Sequence, residues 1–194
     1  MERDVGNAEI DVLIDVGRRL VERGYTDSFF GNISFRDGES MYITPRGSAL
    51  ERIHREDVVE VPLSGTYDER ASSETPAHRY IYTHTDATAI VHAHPFFCVL
   101  CSFLVPDALE SRTSEGRLFL PTLAFCEDAA GTETLGMNVV RACTQHHTHV
   151  AIARGHGIFA LAHSLEQAYL YCVVAEHECR LWYHLSTAGL EQRH

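Results

Sequence analysis

The sequence predicts an α/β protein in which helices cover both faces of a mostly antiparallel sheet. Three observations carry this expectation. Short apolar segments with strand character are joined by turns containing glycine, as at 32–36 and 41–44 around Asp37-Gly38. Stretches with helical spacing of apolar residues stand at both ends of the chain, the first near 10–21 and the last at 165–185. No repeat, low-complexity tract or long linker interrupts the 194 residues, so 1–194 reads as one domain of ordinary size.

The elements follow in order. Ile10, Leu13, Ile14, Gly17, Leu20 and Val21 recur at three- and four-residue steps and define a first helix, with Gly24 as its stop. Segments 32–36 and 41–44 form a hairpin. A short strand at 58–61 leads to the turn Ser64-Gly65. Thr75-Pro76 starts a helix, with threonine as cap and proline in the first turn, carrying His78, Ile81 and Tyr82 on one stripe to about Thr85. A strand at 89–94 stops at Pro95, and 96–104 reads as a short buried helix. A strand near 118–120, a helix from about Thr132 to Gln145 and a strand at 150–153 come next. The turn 154–157 opens a strand at 158–161. Ser164 caps the final helix, with Glu166 and Gln167 in its first turn.

Composition narrows the chemistry. Sixteen basic against twenty-seven acidic residues give a formal charge of -11, which disfavours nucleic acid and anionic membranes as partners. All the basic residues are arginine. Without lysine, Schiff-base aldolases, pyridoxal-phosphate enzymes and Walker-type nucleotide sites are excluded. The first residues, Met-Glu-Arg-Asp, carry no apolar stretch, and no segment approaches a membrane span. Cys98, Cys101, Cys126, Cys143, Cys172 and Cys179 sit mostly among apolar neighbours and read as core thiols in a reduced, cytoplasmic compartment. The pair Cys98-x-x-Cys101 has no second pair to complete a four-thiolate site, so it too is assigned to the core.

Histidine is the unusual residue, thirteen in all. On a strand, His92 and His94 project to the same side, which makes them either half of a divalent-metal site or two hydrogen-bonded core residues. Two further segments favour the metal. Gly155-His156-Gly157 aims a third imidazole from a tight turn, and Ser72-Ser73-Glu74 places a carboxylate just before a helix. Three histidines with a displaceable carboxylate or water make the open kind of site expected of catalytic zinc. His146, His147, His149, His163 and His177 lack such framing and read as solvated or satisfied.

With these residues in place, the chain resembles the class II aldolase/adducin family, and within it L-fuculose-phosphate aldolase-like enzymes, from about Phe30 to Leu181. Gly31-Asn32-Ile33-Ser34 resembles the family's glycine-asparagine turn, and Thr44-Pro45-Arg46-Gly47 its Thr-Pro-x-Gly loop. Ser72-Ser73-Glu74 with His78 resembles the block carrying the catalytic glutamate. His92-Ala93-His94-Pro95 and Gly155-His156-Gly157 match the metal-ligand segments, and Glu178 falls where relatives commonly carry an acidic residue. The resemblance implies a three-layer α/β/α sandwich and a homotetramer with active sites between subunits. It also implies Zn2+, or Mn2+, Co2+ or Fe2+, on His92, His94 and His156 with Glu74 near the ion and serving as base. A phosphate is expected in neutral donors from Asn32, Thr44, Gly47, Ser72 and Ser73. A metal that polarises a ketone and stabilises an enediolate replaces the missing lysine.

Three departures from the family pattern bear on substrate. Arg46 occupies a position where many relatives have a small residue, and it either binds phosphate or carboxylate or faces solvent. The tyrosine that relatives carry before Gly131-Thr132 is absent, and Glu127 or Asp128 falls in its place as the expected proton donor. A C-terminal tail tyrosine is missing as well, and Tyr183 is expected to pack within the last helix. The expected function is therefore metal-dependent cleavage of a ketose 1-phosphate, such as L-fuculose 1-phosphate, into dihydroxyacetone phosphate and an aldehyde. Dehydration of a methylthioribulose phosphate, epimerisation and decarboxylation are alternatives on the same site. A non-catalytic module like the adducin head is a further one.

Overall fold

The computed structural model describes residues 5–190. The first four residues and the tail beyond Leu190, on which the expectations about the N-terminal segment and the missing tail tyrosine fall, lie outside the described residues. In chain order the elements are α1 (Val5–Glu22), β1 (Asn32–Asp37), β2 (Ser40–Ile43), β3 (Val59–Pro62), α2 (Thr75–His84), β4 (Ala89–Ala93), α3 (Phe96–Ser102), β5 (Ala108–Glu110), α4 (Ser114–Phe119), β6 (Thr122–Cys126), α5 (Glu133–Gln145), β7 (Val150–Ala153), β8 (Gly157–Ala162) and α6 (Leu165–Thr187). Two short 3-10 turns, Leu50–Arg52 and Arg55–Asp57, stand between β2 and β3.

Among the described residues, eight strands join one sheet in the order β3-β2-β1-β4-β8-β7-β6-β5. Every neighbouring pair is antiparallel except β6 and β7, which run parallel because α5 crosses between them. Residues alternate between two cores, as the pleat requires. Ile33, Phe35, Val91, Phe125, Ile152 and Ile158 meet α1, α3 and α6 on one face. Met41, Ile43, Ile90, Ala151, Phe159 and Leu161 meet α2 and α5 on the other. The expected α/β/α layering with a mostly antiparallel centre is what the structure shows.

Local signals explain most boundaries. α1 stops where Gly24 turns left-handed at φ 67°, its N–H donating to Val21 O while Tyr25 N–H reaches Leu20 O. Thr132 and Ser164 cap α5 and α6 by accepting from Leu135 N and Gln167 N. His147, at φ 51°, takes the left-handed position that usually falls to glycine after α5, and Thr148 N–H closes the motif on Cys143 O.

Three expectations need correction. The strand placed near 118–120 is instead the end of α4, begun by Thr113, whose hydroxyl accepts from Gly116 N, and Leu118 points to solvent. The strands of this region are β5 and β6. The latter is a continuous buried run that shows no alternation in sequence, because both its faces are covered. The helix expected over 96–104 ends at Ser102, leaving Phe103 and Leu104 exposed. Thr75 is the first residue of α2, and Glu74 holds the cap position without capping the helix through its side chain.

Candidate active site

Strand directions place the site. β4 pairs antiparallel with β8, and β8 with β7, so β4, β6 and β7 all end at the same edge of the sheet. The segments carrying His94, Glu127-Asp128 and His156 emerge there together. Asn32, opposite His92 in the β1·β4 register, opens β1 at that edge. From the other layer, α2 brings Glu74 to the same place. A cleft of about 160 Å3 results, lined by Phe30, Asn32, Arg46, Gly47, Ser48, Ser72, Ser73, Glu74, His92, His94 and His156 among others.

His92, His94 and His156 offer ligand atoms within 4.8 Å of one another, the one group of metal-ligand type found among the described residues. Each imidazole is aimed. His92 Nδ1 donates to the Ile158 carbonyl at 2.9 Å, and His156 Nδ1 faces Asp128 Oδ1 at 2.8 Å. Both contacts commit the Nδ1 proton outward and leave Nε2 as a lone pair for the cleft. His94 stacks on Phe30 with ring centroids 5.6 Å apart, and its Nε2 lies 3.0 Å from His92 Nε2. Burial holds both imidazoles neutral. His92 is pushed well below its ordinary value, and His94 falls to about 4, with repulsion from His156 adding to burial in each case. Neutral nitrogens are the form that binds a cation.

Glu74 lies beside this group without being part of it. It is 6% exposed, and its Oε1 accepts from Gly131 N at 3.1 Å and lies 3.9 Å from His156 Nε2. Its buried Oε2 has no hydrogen-bond partner. Burial raises its pKa, and the neighbouring His156 ring and the Gly131 N–H only partly offset this. An orphaned carboxylate oxygen in the cleft that also holds two imidazole nitrogens in near contact is a donor set short of its acceptor. Three nitrogens with a carboxylate close by fit a divalent transition metal in an open site.

The expected phosphate-binding residues divide. Asn32, Arg46, Gly47, Ser72 and Ser73 line the cleft, and Asn32 Oδ1 is buried and unpartnered. Gly47 holds φ 65°, turning the loop so that its backbone borders the cleft. Thr44 is not among the lining residues. It is fully buried, and its Oγ1 accepts from Ile33 N, tying the loop to β1. Ser48, absent from the expected set, stands in the cleft beside Gly47. Glu127 also lies apart from the cleft of its own chain: its carboxylate is three-quarters exposed and pairs with Arg154 at 3.2 Å. Glu178 is buried and serves structure, accepting from Arg112 N and Thr113 N ahead of α4. Tyr183 packs near Phe97, as expected. Cys98 and Cys101 are buried free thiols, as expected for core residues. A larger groove of about 630 Å3, lined by Arg23, Phe97, Phe119, Val174 and Arg180 among others, includes none of His92, His94 and His156.

This fold and site define the class. The chain matches the Class II Aldolase and Adducin N-terminal domain over residues 11–183, and it belongs to that family. It is 33% identical over 173 residues to the L-fuculose phosphate aldolase of Methanococcus maripaludis, spanning 88% of this chain and 93% of that one. The crystal structure of L-fuculose-1-phosphate aldolase from Thermus thermophilus superposes with a TM-score of 0.86 at 32% identity, covering 94% of this chain and 97% of the other. The methylthioribulose-1-phosphate dehydratase of Schizosaccharomyces japonicus is 25% identical over 183 residues, 81% of this chain and 79% of its own.

Proposed function

We propose that this chain is a divalent-metal-dependent aldolase that cleaves a ketose 1-phosphate of the L-fuculose 1-phosphate type into dihydroxyacetone phosphate and an aldehyde. The observation that carries the reading is the three-histidine group with the orphaned Glu74 oxygen beside it. His92, His94 and His156 would hold the cation, Zn2+ by donor type, with Mn2+, Co2+ or Fe2+ as alternatives. When bound, it polarises a substrate carbonyl and stabilises the negative charge that develops as the C–C bond breaks.

The protein's own groups do the rest. Asn32, Gly47, Ser72 and Ser73 offer neutral donors to the phosphate, and Arg46 adds charge. Thr44 supports that loop from behind. Glu74 returns a proton to the dihydroxyacetone phosphate carbon after cleavage and removes it in the reverse direction, a task suited to a carboxyl whose pKa burial has raised. Glu127, exposed on its own chain, is the acid offered to a neighbouring subunit's cleft. A homotetramer fits this, because Phe29, Phe30, Phe96 and Phe103 stand exposed near the cleft or its flanking turns. Six cysteines present as free thiols suit a reducing, cytoplasmic compartment.

The test is release of dihydroxyacetone phosphate from L-fuculose 1-phosphate, read by a coupled reductase, with wild type and Glu74→Gln. We expect turnover in the wild type and a loss of roughly 100-fold or more in the variant. Indistinguishable rates in the two proteins would refute the role of Glu74. The similarity to a methylthioribulose-1-phosphate dehydratase supports a second reading, dehydration on the same site. Mass analysis of products from a sugar-phosphate panel separates the two, since dehydration removes water and leaves the carbon chain whole.

A further inference from the structure

β6 and β7 are the one parallel pair in the sheet, with Cys126 opposite Ala153. Both strands therefore leave the sheet side by side, and two consecutive carboxylates meet two residues of the neighbouring turn. Glu127 takes Arg154, whose remaining guanidinium donors reach the Ser102, Val105 and Pro106 carbonyls. Asp128 takes His156, with Oδ1 2.8 Å from Nδ1.

We propose that Asp128 is a positioning residue for the metal centre: by accepting the Nδ1 proton of His156 it fixes the ring's tautomer and direction, and it raises the affinity of the three-histidine group for a divalent cation. The proposal rests on the metal-dependent reading above. Its physical basis is that a carboxylate behind a ligand imidazole makes the other nitrogen a stronger donor. A neutral acceptor orients the ring and adds less. His92 has such a neutral acceptor in the Ile158 carbonyl, and His94 is set by stacking on Phe30. Among the described residues, no other carboxylate backs a ring of the cluster through its Nδ1.

This assignment separates two adjacent carboxylates that the sequence leaves equivalent. Glu127 pairs with Arg154 and is turned away from the cleft of its own chain, whereas Asp128 acts on a ligand within it. The Asp128 side chain is 36% exposed, so its isosteric replacement leaves the fold intact.

The experiment measures Zn2+ affinity by competition with a chromophoric chelator for the wild type, Asp128→Asn and a control, Asp86→Asn. The control removes an exposed carboxylate that lies 3.9 Å from His163, outside the cleft. The visible spectrum of the Co2+-loaded protein is the second readout. We expect Asp128→Asn to weaken Zn2+ binding about 10- to 100-fold, to shift the Co2+ bands and to leave the melting temperature of the metal-free protein unchanged. The control should match the wild type in all three. Equal Zn2+ affinity in the wild type and Asp128→Asn would overturn the positioning role and leave the metal reading standing. An affinity loss matched by a fall in metal-free melting temperature would overturn it in favour of a structural role. A wild-type chain that takes up no Zn2+ would overturn both the inference and the metal reading.

Discussion

His78 lies one helical turn beyond Glu74, fully buried, with Nδ1 2.7 Å from Ser34 Oγ. Ser34 Oγ in turn lies 2.7 Å from Tyr82 Oη, and Tyr82 donates to the Ser34 carbonyl at 2.9 Å. This polar column stands beneath Asn32 and Glu74 and joins the first turns of α2 to β1. Burial drives the His78 imidazole from its ordinary 6.5 down to about 3. Below about pH 6.5 the unfolded chain takes up a proton that the folded chain refuses, so stability falls as pH drops from 6.5 toward 3 and is retained above that window. Each pH unit inside it costs about 1.4 kcal/mol. Other buried histidines act in the same direction, so the comparison is with His78→Asn. Urea unfolding between pH 6 and 4 should lose stability more steeply in the wild type than in the variant, by about 1 kcal/mol per pH unit. Equal slopes would show that His78 titrates freely.

The element that fixes the cluster is the β4·β8 pair and the turn that opens β8. Gly157 pairs with Ala153 at the start of β8, and a Cβ there would lie 2.8 Å from His94 Cδ2 and 3.0 Å from His92 Cε1, as well as against the Ala93 carbonyl. The carbonyl belongs to a paired strand and has little room to retreat. Gly157→Ala should therefore lose stability by roughly 1–3 kcal/mol and bind Zn2+ more weakly. Thermal melts and calorimetric titration check this, and a variant unchanged in both would contradict it. Much of this element map is legible in the sequence. α1, α5 and α6 announce themselves by spacing and caps, and His-x-His and Gly-His-Gly mark their strand and turn. β6 is not legible, because an apolar run buried on both faces has no period to read, while the apolar end of α4 imitates a strand. The roles of Glu127 and Asp128 depend on the β6·β7 register, a long-range fact that local pattern does not contain. Thr44 shows the converse. Its motif is legible, but its hydroxyl is spent on Ile33 N.

For the whole molecule, acidity and exposed apolar surface pull in different directions. A charge of -11 keeps chains apart, yet Phe29, Phe96 and Phe103 are each more than 60% exposed at or near the catalytic edge of the sheet. In the proposed tetramer, another copy of the chain would cover them and bring the exposed Glu127 toward a neighbouring cleft. Light scattering should return about four times the 21.8 kDa of one chain. A monomer would contradict a site shared between subunits.

A cation on His92, His94 and His156 is the centre of the proposed chemistry. Metal content should be measured on freshly purified protein without added metal, beside His94→Ala. About one divalent transition-metal ion per wild-type chain, lost in the variant, is the predicted result. No metal in either protein would leave the fold without its electrophile and move the non-catalytic, adducin-like reading to the front.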